Sequence, residues 1–160
     1  MKLRFWAATL LTLSVSLAWA VPDKSDVTAA MIYRLTKFVD WPAQAFSHEN
    51  TPFMICFDTD SPTFRKLSKV ALKPWRGREV AVTTGAAPEC QVLVVEAEAV
   101  TDIGPHTLLV GEDPSFLEDG GHIAFQFTRG RIGFLVNRTS AREQGLELSA
   151  ELLSLARHVQ

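Results

Sequence analysis

The sequence lacks the short motifs that mark common catalytic and metal sites. It contains no G-x-S-x-G, P-loop or G-x-G-x-x-G pattern. Its four histidines show no H-x₃-H or H-E-x-x-H spacing, and its two cysteines form no C-x-x-C pair. No nucleophile can be paired with a general base from the sequence. We therefore predict a protein that is not an enzyme and that holds neither a cofactor nor a metal ion. The alternatives are a metal site assembled from distant residues and a nucleophilic Cys56 or Cys90 with a distant histidine.

Basic residues are outnumbered by acidic ones. Without Lys2 and Arg4, which fall in the N-terminal leader, 14 basic residues face 18 acidic ones, a net charge of −4 with histidine neutral. A nucleic-acid-binding protein normally shows a basic face or stripe. The same balance gives no support for adhesion to anionic lipid. Nucleic acids and anionic membranes are therefore not expected partners.

One apolar run is long, and it stands at the N-terminus. Lys2 and Arg4 precede it, and Ala18-Trp19-Ala20 then places small residues at the positions of a signal-peptidase site. The run is shorter than the roughly 20 residues that span a bilayer, although an uncleaved anchor helix is the alternative. We predict a cleaved signal peptide at residues 1–20 and a single exported domain at residues 21–160.

The two cysteines, Cys56 and Cys90, both lie in the exported part of the chain. An even number of cysteines in an oxidising compartment favours a disulfide, which would close a loop of about 35 residues. The alternative is a pair of buried thiols at strand ends, because a sequence does not give the distance between two Cα atoms.

The stretch 31–42, MIYRLTKFVDWP, carries the clearest local signal. Apolar residues recur there at helical spacing, which predicts a helix with a buried stripe of Val27, Met31, Leu35 and Phe38. Pro42 biases Trp41 away from the helical conformation, so we expect the helix to end at Asp40 and Trp41. The Trp41 side chain then either contacts a partner or covers the edge of the core.

The middle of the chain alternates between strand and helix patterns. Continuously apolar runs predict strands buried on both faces at residues 53–57, 92–95 and 107–110, with an edge or half-covered strand at 78–83. A helix capped by Ser61 and begun by Pro62 is expected after the first of these strands. Its predicted buried stripe is Phe64, Leu67, Val70 and Ala71.

The last third of the chain has a different hydrophobic periodicity. Strict alternation at 122–128 and 131–137, around Arg129-Gly130, predicts a β-hairpin. Asn137 and Ser149 are expected to cap two helices, and the second should bury Leu152, Leu155, Ala156 and Val159. The predicted fold class is α/β: a three-layer α/β/α sandwich with a mixed, mostly parallel sheet that ends in an antiparallel hairpin.

Three parts of the sequence together resemble one family. They are YRLTKFVDWP at 33–42, then GHIAF at 121–125 with IGFLVN at 132–137, then GLELS at 145–149 with LLSLA at 152–156. In this order they look like the YfiR-like family of exported proteins, and the similarity covers nearly the whole chain after the leader.

The resemblance implies a function as well as a fold. It implies an α/β/α sandwich in the periplasm of a Gram-negative bacterium, often as a dimer, with a regulatory and not a catalytic role. By this resemblance the protein would restrain a membrane diguanylate cyclase by binding its periplasmic domain, and an outer-membrane lipoprotein could sequester it. Repression would lower cyclic di-GMP and hence biofilm formation.

We expect the partner to bind at Asp40, Trp41, Glu147 and Ser149, where polar groups stand beside large apolar ones, as the edge of an interface requires. Trp41→Ala is then expected to weaken binding and leave the fold intact. The basic segment 73–78 is interpreted as a solvated loop, or as a surface for an acidic partner. The alternative function is a small-molecule sensor with its pocket at the ends of the parallel strands.

Overall fold

The computed structural model describes residues 23–85, 87–96 and 103–160 of the chain. The strands of this part are β1 (Val39–Asp40), β2 (Phe53–Phe57), β3 (Val80–Thr84), β4 (Val92–Val95), β5 (Leu108–Gly111), β6 (Ile123–Thr128), β7 (Arg131–Val136), β8 (Glu147–Leu148) and β9 (His158–Val159). The α-helices are α1 (Lys24–Leu35), α2 (Pro62–Leu67), α3 (Arg138–Glu143) and α4 (Ala150–Leu155). Short 3₁₀ helices lie at Thr36–Phe38, Ala43–Ala45 and Pro114–Leu117. The predicted signal peptide at residues 1–20 lies outside the described residues.

A seven-stranded sheet in the order β3-β2-β4-β5-β6-β7-β9 organises the fold. The pairs from β3 to β6 are all parallel, and β6 and β7 form an antiparallel hairpin whose register runs from Ile123 opposite Val136 to Thr128 opposite Arg131. Strand β9 then adds to β7 in parallel. The predicted α/β class, with a mixed, mostly parallel sheet and a terminal hairpin, is confirmed. Strands β1 and β8 form a separate two-stranded sheet.

The central strands are buried on both faces, as their apolar runs predicted. Phe53, Ile55 and Phe57 of β2 belong to the larger core, together with residues of α1, α2 and α4. Alternate side chains, including Leu93 and Leu109, belong to a second core cluster. Among the described residues, Phe116 of a 3₁₀ helix packs against this second cluster, so the layer on that face is thinner than the helical one.

Side-chain caps begin three of the helices where the sequence predicted them. Ser61 Oγ accepts a hydrogen bond from the Phe64 N–H at 3.0 Å, and Pro62 occupies the first turn of α2. Asn137 Oδ1 caps α3 through the Ser140 N–H at 2.9 Å. Ser149 Oγ caps α4 in the same way. Each cap satisfies a backbone donor that the first helical turn leaves free.

The first helix is shorter than predicted, and its buried face is rotated. Helix α1 ends at Leu35, and Val39 and Asp40 form a strand and not a helix end. The buried residues of α1 are Ser25, Thr28, Ala29, Ile32 and Leu35. Of the predicted stripe, Leu35 is buried, whereas Val27, Met31 and Phe38 are half-buried. Ala29, Ile32 and Leu35 also recur at helical spacing, so the apolar periodicity alone does not distinguish this face from the predicted one.

Helices α2 and α4 also end earlier than predicted. Val70 lies beyond α2 and is 58% exposed, and Ala71 is exposed as well. After α4 the chain turns extended at Ala156, and the Arg157 N–H donates to the Phe134 carbonyl of β7. Leu155 is therefore 62% exposed, and Val159 lies in an edge strand. Pairing with the open edge of β7 prevails over continuation of the helix.

His122 is a buried neutral side chain at the start of β6. It is 1% exposed, and its Nδ1 accepts a hydrogen bond from the Leu109 N–H at 3.0 Å. Burial lowers the pKa of His122 from 6.5 to about 4, because the charged imidazolium loses its hydration in the protein interior. The Leu109 N–H also occupies the lone pair of Nδ1, so this nitrogen is not free to bind a second proton.

The buried His122 predicts a loss of stability in mild acid. The unfolded chain binds a proton below about pH 6.5 and the folded chain only below about pH 4, so the free energy of unfolding falls as the pH drops between these values. The full contribution is about 3 kcal/mol, and about 2 kcal/mol is lost between pH 7.5 and pH 5. Urea unfolding at these two pH values measures it. His122→Gln should show a smaller pH dependence of the free energy of unfolding than the wild type. The control His158→Gln, at an exposed site, should behave as the wild type does. Equal pH dependence in His122→Gln and wild type would contradict the assignment.

Candidate interaction site at the β1–β8 sheet

The structure brings three of the four predicted partner-binding residues together at the small β1–β8 sheet. Asp40 lies opposite Glu147 in the antiparallel register, and Val39 lies opposite Leu148. The Ser149 N–H donates to the Phe38 carbonyl at 2.9 Å and continues the pairing by one step. Segments that are far apart in the sequence thus form one continuous surface.

The alternation of side chains along these strands separates an inner from an outer face. Val39 and Leu148 are buried in the core, whereas Asp40 and Glu147 are exposed. Since neighbouring residues of a strand point to opposite faces, the apolar pair fixes the carboxylate pair outward. Gly145 enables the turn from α3 into β8, because its φ of +73° lies in the left-handed region.

The side chain of Trp41 belongs to the core. It is 8% exposed, its ring centroid lies 5.0 Å from Phe53 and 5.5 Å from Trp75, and its Nε1 donates to the Gln91 carbonyl at 3.2 Å. Trp75 is buried likewise and donates to the Thr36 carbonyl at 3.0 Å. Of the two roles expected for Trp41, its burial and ring contacts support coverage of the core.

The exposed carboxylates each lie beside an arginine. Asp40 pairs with Arg76, and the Arg142 Nε lies 4.0 Å from Glu147. Arg76 also lies over the Trp75 ring, with its guanidinium carbon 4.8 Å from the ring centroid. All four charged side chains remain largely in water, where an ion pair contributes at most about 1 kcal/mol. The surface therefore presents two neighbouring carboxylates, each with an arginine beside it.

Sequence reasoning missed both arginines as members of this surface. Arg76 lies in the basic segment 73–78, for which the sequence allows a solvated loop or a surface for an acidic partner, and nothing in the sequence pairs it with Asp40. Arg78 of the same segment has a structural role, since its Nη1 donates to the carbonyls of His48, Glu49 and Thr51. The only available signal was the local density of charge next to Trp75.

The carboxyl ends of the parallel strands hold a different polar cluster. Ser61 Oγ donates to Glu96 at 2.8 Å, and Glu112 receives Lys24 Nζ at 2.7 Å and the Thr63 hydroxyl at 3.3 Å. Burial raises the pKa of Glu96, and the nearby Glu112 carboxylate acts in the same direction. These side chains bind one another at the edge where the alternative sensor hypothesis placed a pocket.

The described part of the chain shows neither a local metal-binding cluster nor a membrane-spanning helix. Residues 23–85, 87–96 and 103–160 contain no group of three or more histidine, cysteine, aspartate or glutamate side chains that could hold a metal ion. In the same residues, each helix is too short or too polar to cross a bilayer.

The chain is similar to one described family and to a solved structure. The family model described as YfiR/HmsC-like matches residues 25–157. A crystal structure of a conserved domain protein from Vibrio cholerae O1 biovar El Tor strain N16961 matches with a TM-score of 0.51 and 12% identity, covering 86% of this chain and 60% of that chain. The present chain thus spans about 60% of that protein's length, and the likeness shows the fold alone. No curated protein matches the chain significantly.

Proposed function

The chain belongs to the YfiR/HmsC-like family, whose members are periplasmic regulators of cyclic di-GMP signalling, and we propose that it represses a membrane diguanylate cyclase. In this proposal the protein binds the periplasmic domain of the cyclase and holds the enzyme in an inactive state. Cyclic di-GMP then falls, and biofilm formation falls with it. An outer-membrane lipoprotein that binds the repressor would relieve the inhibition, and a homodimer is the form we expect to act.

The proposal places the protein in the periplasm after removal of residues 1–20. The Cys56–Cys90 disulfide supports this location, since disulfides persist in the oxidising periplasm and are rare in the cytosol. The family is regulatory rather than catalytic, which agrees with the absence of catalytic motifs from the sequence.

The proposed contact rests on the position of Asp40 opposite Glu147 in the antiparallel β1–β8 register. Both carboxylates are exposed, and the buried pair Val39 and Leu148 fixes them on one face. A preorganised polar surface over a rigid core loses little side-chain entropy on binding. We propose that this surface, with Arg76 and Arg142 at its edge, meets a polar patch of complementary charge on the cyclase.

Reversal of the two carboxylates is expected to weaken the complex. Asp40→Lys/Glu147→Lys removes both acceptors and places like charges next to Arg76 and Arg142. We expect the dissociation constant for the purified periplasmic domain of the host's cyclase to rise by about tenfold or more, where tenfold corresponds to about 1.4 kcal/mol. Isothermal titration calorimetry on the mature protein measures the change.

A variant with the same change of net charge serves as the control. Glu118→Lys/Asp119→Lys alters two exposed carboxylates in the turn before β6 and is expected to bind as the wild type does. In the host, deletion of the gene should raise cyclic di-GMP. Expression of the wild type or of the control variant should lower it again to the original level. An unchanged level after deletion would refute the cyclase role. Full restoration by Asp40→Lys/Glu147→Lys would refute only the proposed contact surface.

A further inference from the structure

A groove of about 380 Å³ lies between α1, α2 and the segment that follows α2. Its floor is mostly apolar, and its apolar lining residues are Ala29, Ala30, Leu67, Val70, Ala71 and Leu72. The groove contacts α1 from Asp26 to Arg34, about 12 Å along the helix at a rise of 1.5 Å per residue, and then Lys37 of the 3₁₀ helix that follows. Val70 is 58% exposed there, so an apolar surface remains open to solvent.

Contacts at both ends fix the walls of the groove. At one end, Lys66 Nζ lies 2.8 Å from Asp26 Oδ1 and joins α2 to α1. At the other end, the Tyr33 hydroxyl donates to the Lys73 carbonyl at 2.8 Å and joins the segment after α2 to α1. The groove is therefore formed before any ligand arrives, which lowers the entropic cost of binding.

Positive charge is concentrated at the Tyr33 end. Arg34, Lys37 and Lys73 line this end, and within the described residues none of them has a carboxylate within 4.0 Å. Lys37 Nζ lies 5.2 Å from the centroid of the Tyr33 ring. Arg34 and Lys37 also complement the negative C-terminal end of α1. Lys73 comes from another segment, so the helix dipole does not account for it.

We propose that this groove binds a free, single-chain amphipathic anion, with its apolar chain over Ala30 and Val70 and its carboxylate or phosphate at Arg34, Lys37 and Lys73. The volume lies in the range of roughly 300–1,000 Å³ that is usual for small-ligand pockets. The cations stand at one end and the apolar residues along the length, which matches the polarity of such a molecule. The net charge of −4 for residues 21–160 argues against an anionic membrane surface as the occupant. This inference does not depend on the cyclase.

Three probes separate charge from chain length. Decanoate, kept below its micellar concentration, carries both; acetate carries the charge alone, and decyltrimethylammonium carries the chain with the opposite charge. In ¹⁵N-labelled mature protein we expect decanoate to shift the backbone amide resonances of Ala30, Tyr33 and Val70 in a saturable way. Acetate and decyltrimethylammonium should cause no saturable shift there. Equal binding of decanoate and decyltrimethylammonium, or decanoate shifts outside the groove, would overturn the proposal.

Two exposed variants test the two halves of the groove. Lys37→Gln/Lys73→Gln removes two cations and should weaken decanoate binding by about tenfold. Val70→Asp places a carboxylate on the apolar floor and should abolish the shifts. Arg129→Gln/Arg131→Gln removes two cations at the exposed tip of the β6–β7 hairpin and should bind as the wild type does. Wild-type affinity in Lys37→Gln/Lys73→Gln, or equal weakening in the hairpin variant, would contradict the site.

Discussion

Replacement of Trp41 by alanine is expected to lower the free energy of unfolding by about 3–5 kcal/mol, the usual cost of removing a buried tryptophan. The indole is 8% exposed and packs edge-on against Phe53 and Trp75. Its loss leaves a cavity next to Phe53 and Trp75 and leaves the buried Gln91 carbonyl without its indole donor. Urea unfolding followed by circular dichroism measures the change, since Trp fluorescence would itself be altered.

Two further variants show whether the effect comes from burial. Trp41→Phe fills part of the cavity but lacks the indole N–H, so it should lose less stability than Trp41→Ala. Leu155→Ala removes an apolar side chain that is 62% exposed and should change stability by no more than about 0.5 kcal/mol. A Trp41→Ala protein as stable as the wild type that fails to bind its partner would restore the interpretation of Trp41 as an interface residue.

A Trp41 variant that loses repression in cells would be uninformative, because an unfolded repressor and a repressor without its contact surface give the same phenotype. The exposed pair Asp40 and Glu147 avoids this difficulty. Their side chains lie largely in water, so their substitution should leave the core intact.

The sequence predicted the fold where the local signal and the final environment agree. The apolar runs at β2, β4 and β5 are buried on both faces, and the alternation at β6 and β7 forms the hairpin. The caps at Ser61, Asn137 and Ser149 depend on a side chain and a backbone group three residues away. Interactions of such short range can be predicted from a single sequence.

The parts that could not be predicted depend on distant contacts. Strand β1 exists because β8, more than a hundred residues later, pairs with it, and neither segment is long enough to show a strand pattern. The burial of Trp41 follows from Phe53 and Trp75, which come from two other segments. The end of α4 at Leu155 follows from the open edge of β7, which captures the chain at Arg157. Local periodicity carries no information on any of these partners.

The candidate site was predicted only in part, because some of its contacts also join segments that are distant in the sequence. Asp40, Glu147 and Ser149 lie in segments singled out by the resemblance, and the structure brings these segments together. Arg76 and Arg142 complete the surface through ion pairs, one of which joins segments that are distant in the sequence. Since exposed side chains leave little pattern in a sequence, such pairs are found only from the fold.

Removal of the Cys56–Cys90 disulfide is expected to lower the free energy of unfolding by about 4 kcal/mol. The bond is present as predicted, with the two Cα atoms 5.9 Å apart and a sequence separation of 34. Closure of a loop of this length reduces the entropy of the unfolded chain by an amount that corresponds to this energy at 25 °C. Both cysteines are buried in the second core cluster, so Cys56→Ala/Cys90→Ala is the variant that introduces no buried hydroxyl.

Reductant provides the matched control for this variant. Urea unfolding with dithiothreitol should bring the wild type close to the stability of Cys56→Ala/Cys90→Ala, whereas the variant should show the same midpoint with and without reductant. A wild type that loses less than about 1 kcal/mol on reduction would show that the disulfide does not stabilise the fold. Small domains have a total stability of about 5–15 kcal/mol, so a loss of about 4 kcal/mol would leave many reduced molecules only marginally folded. The oxidised chain would then be the functional form, which agrees with the proposed export to the periplasm.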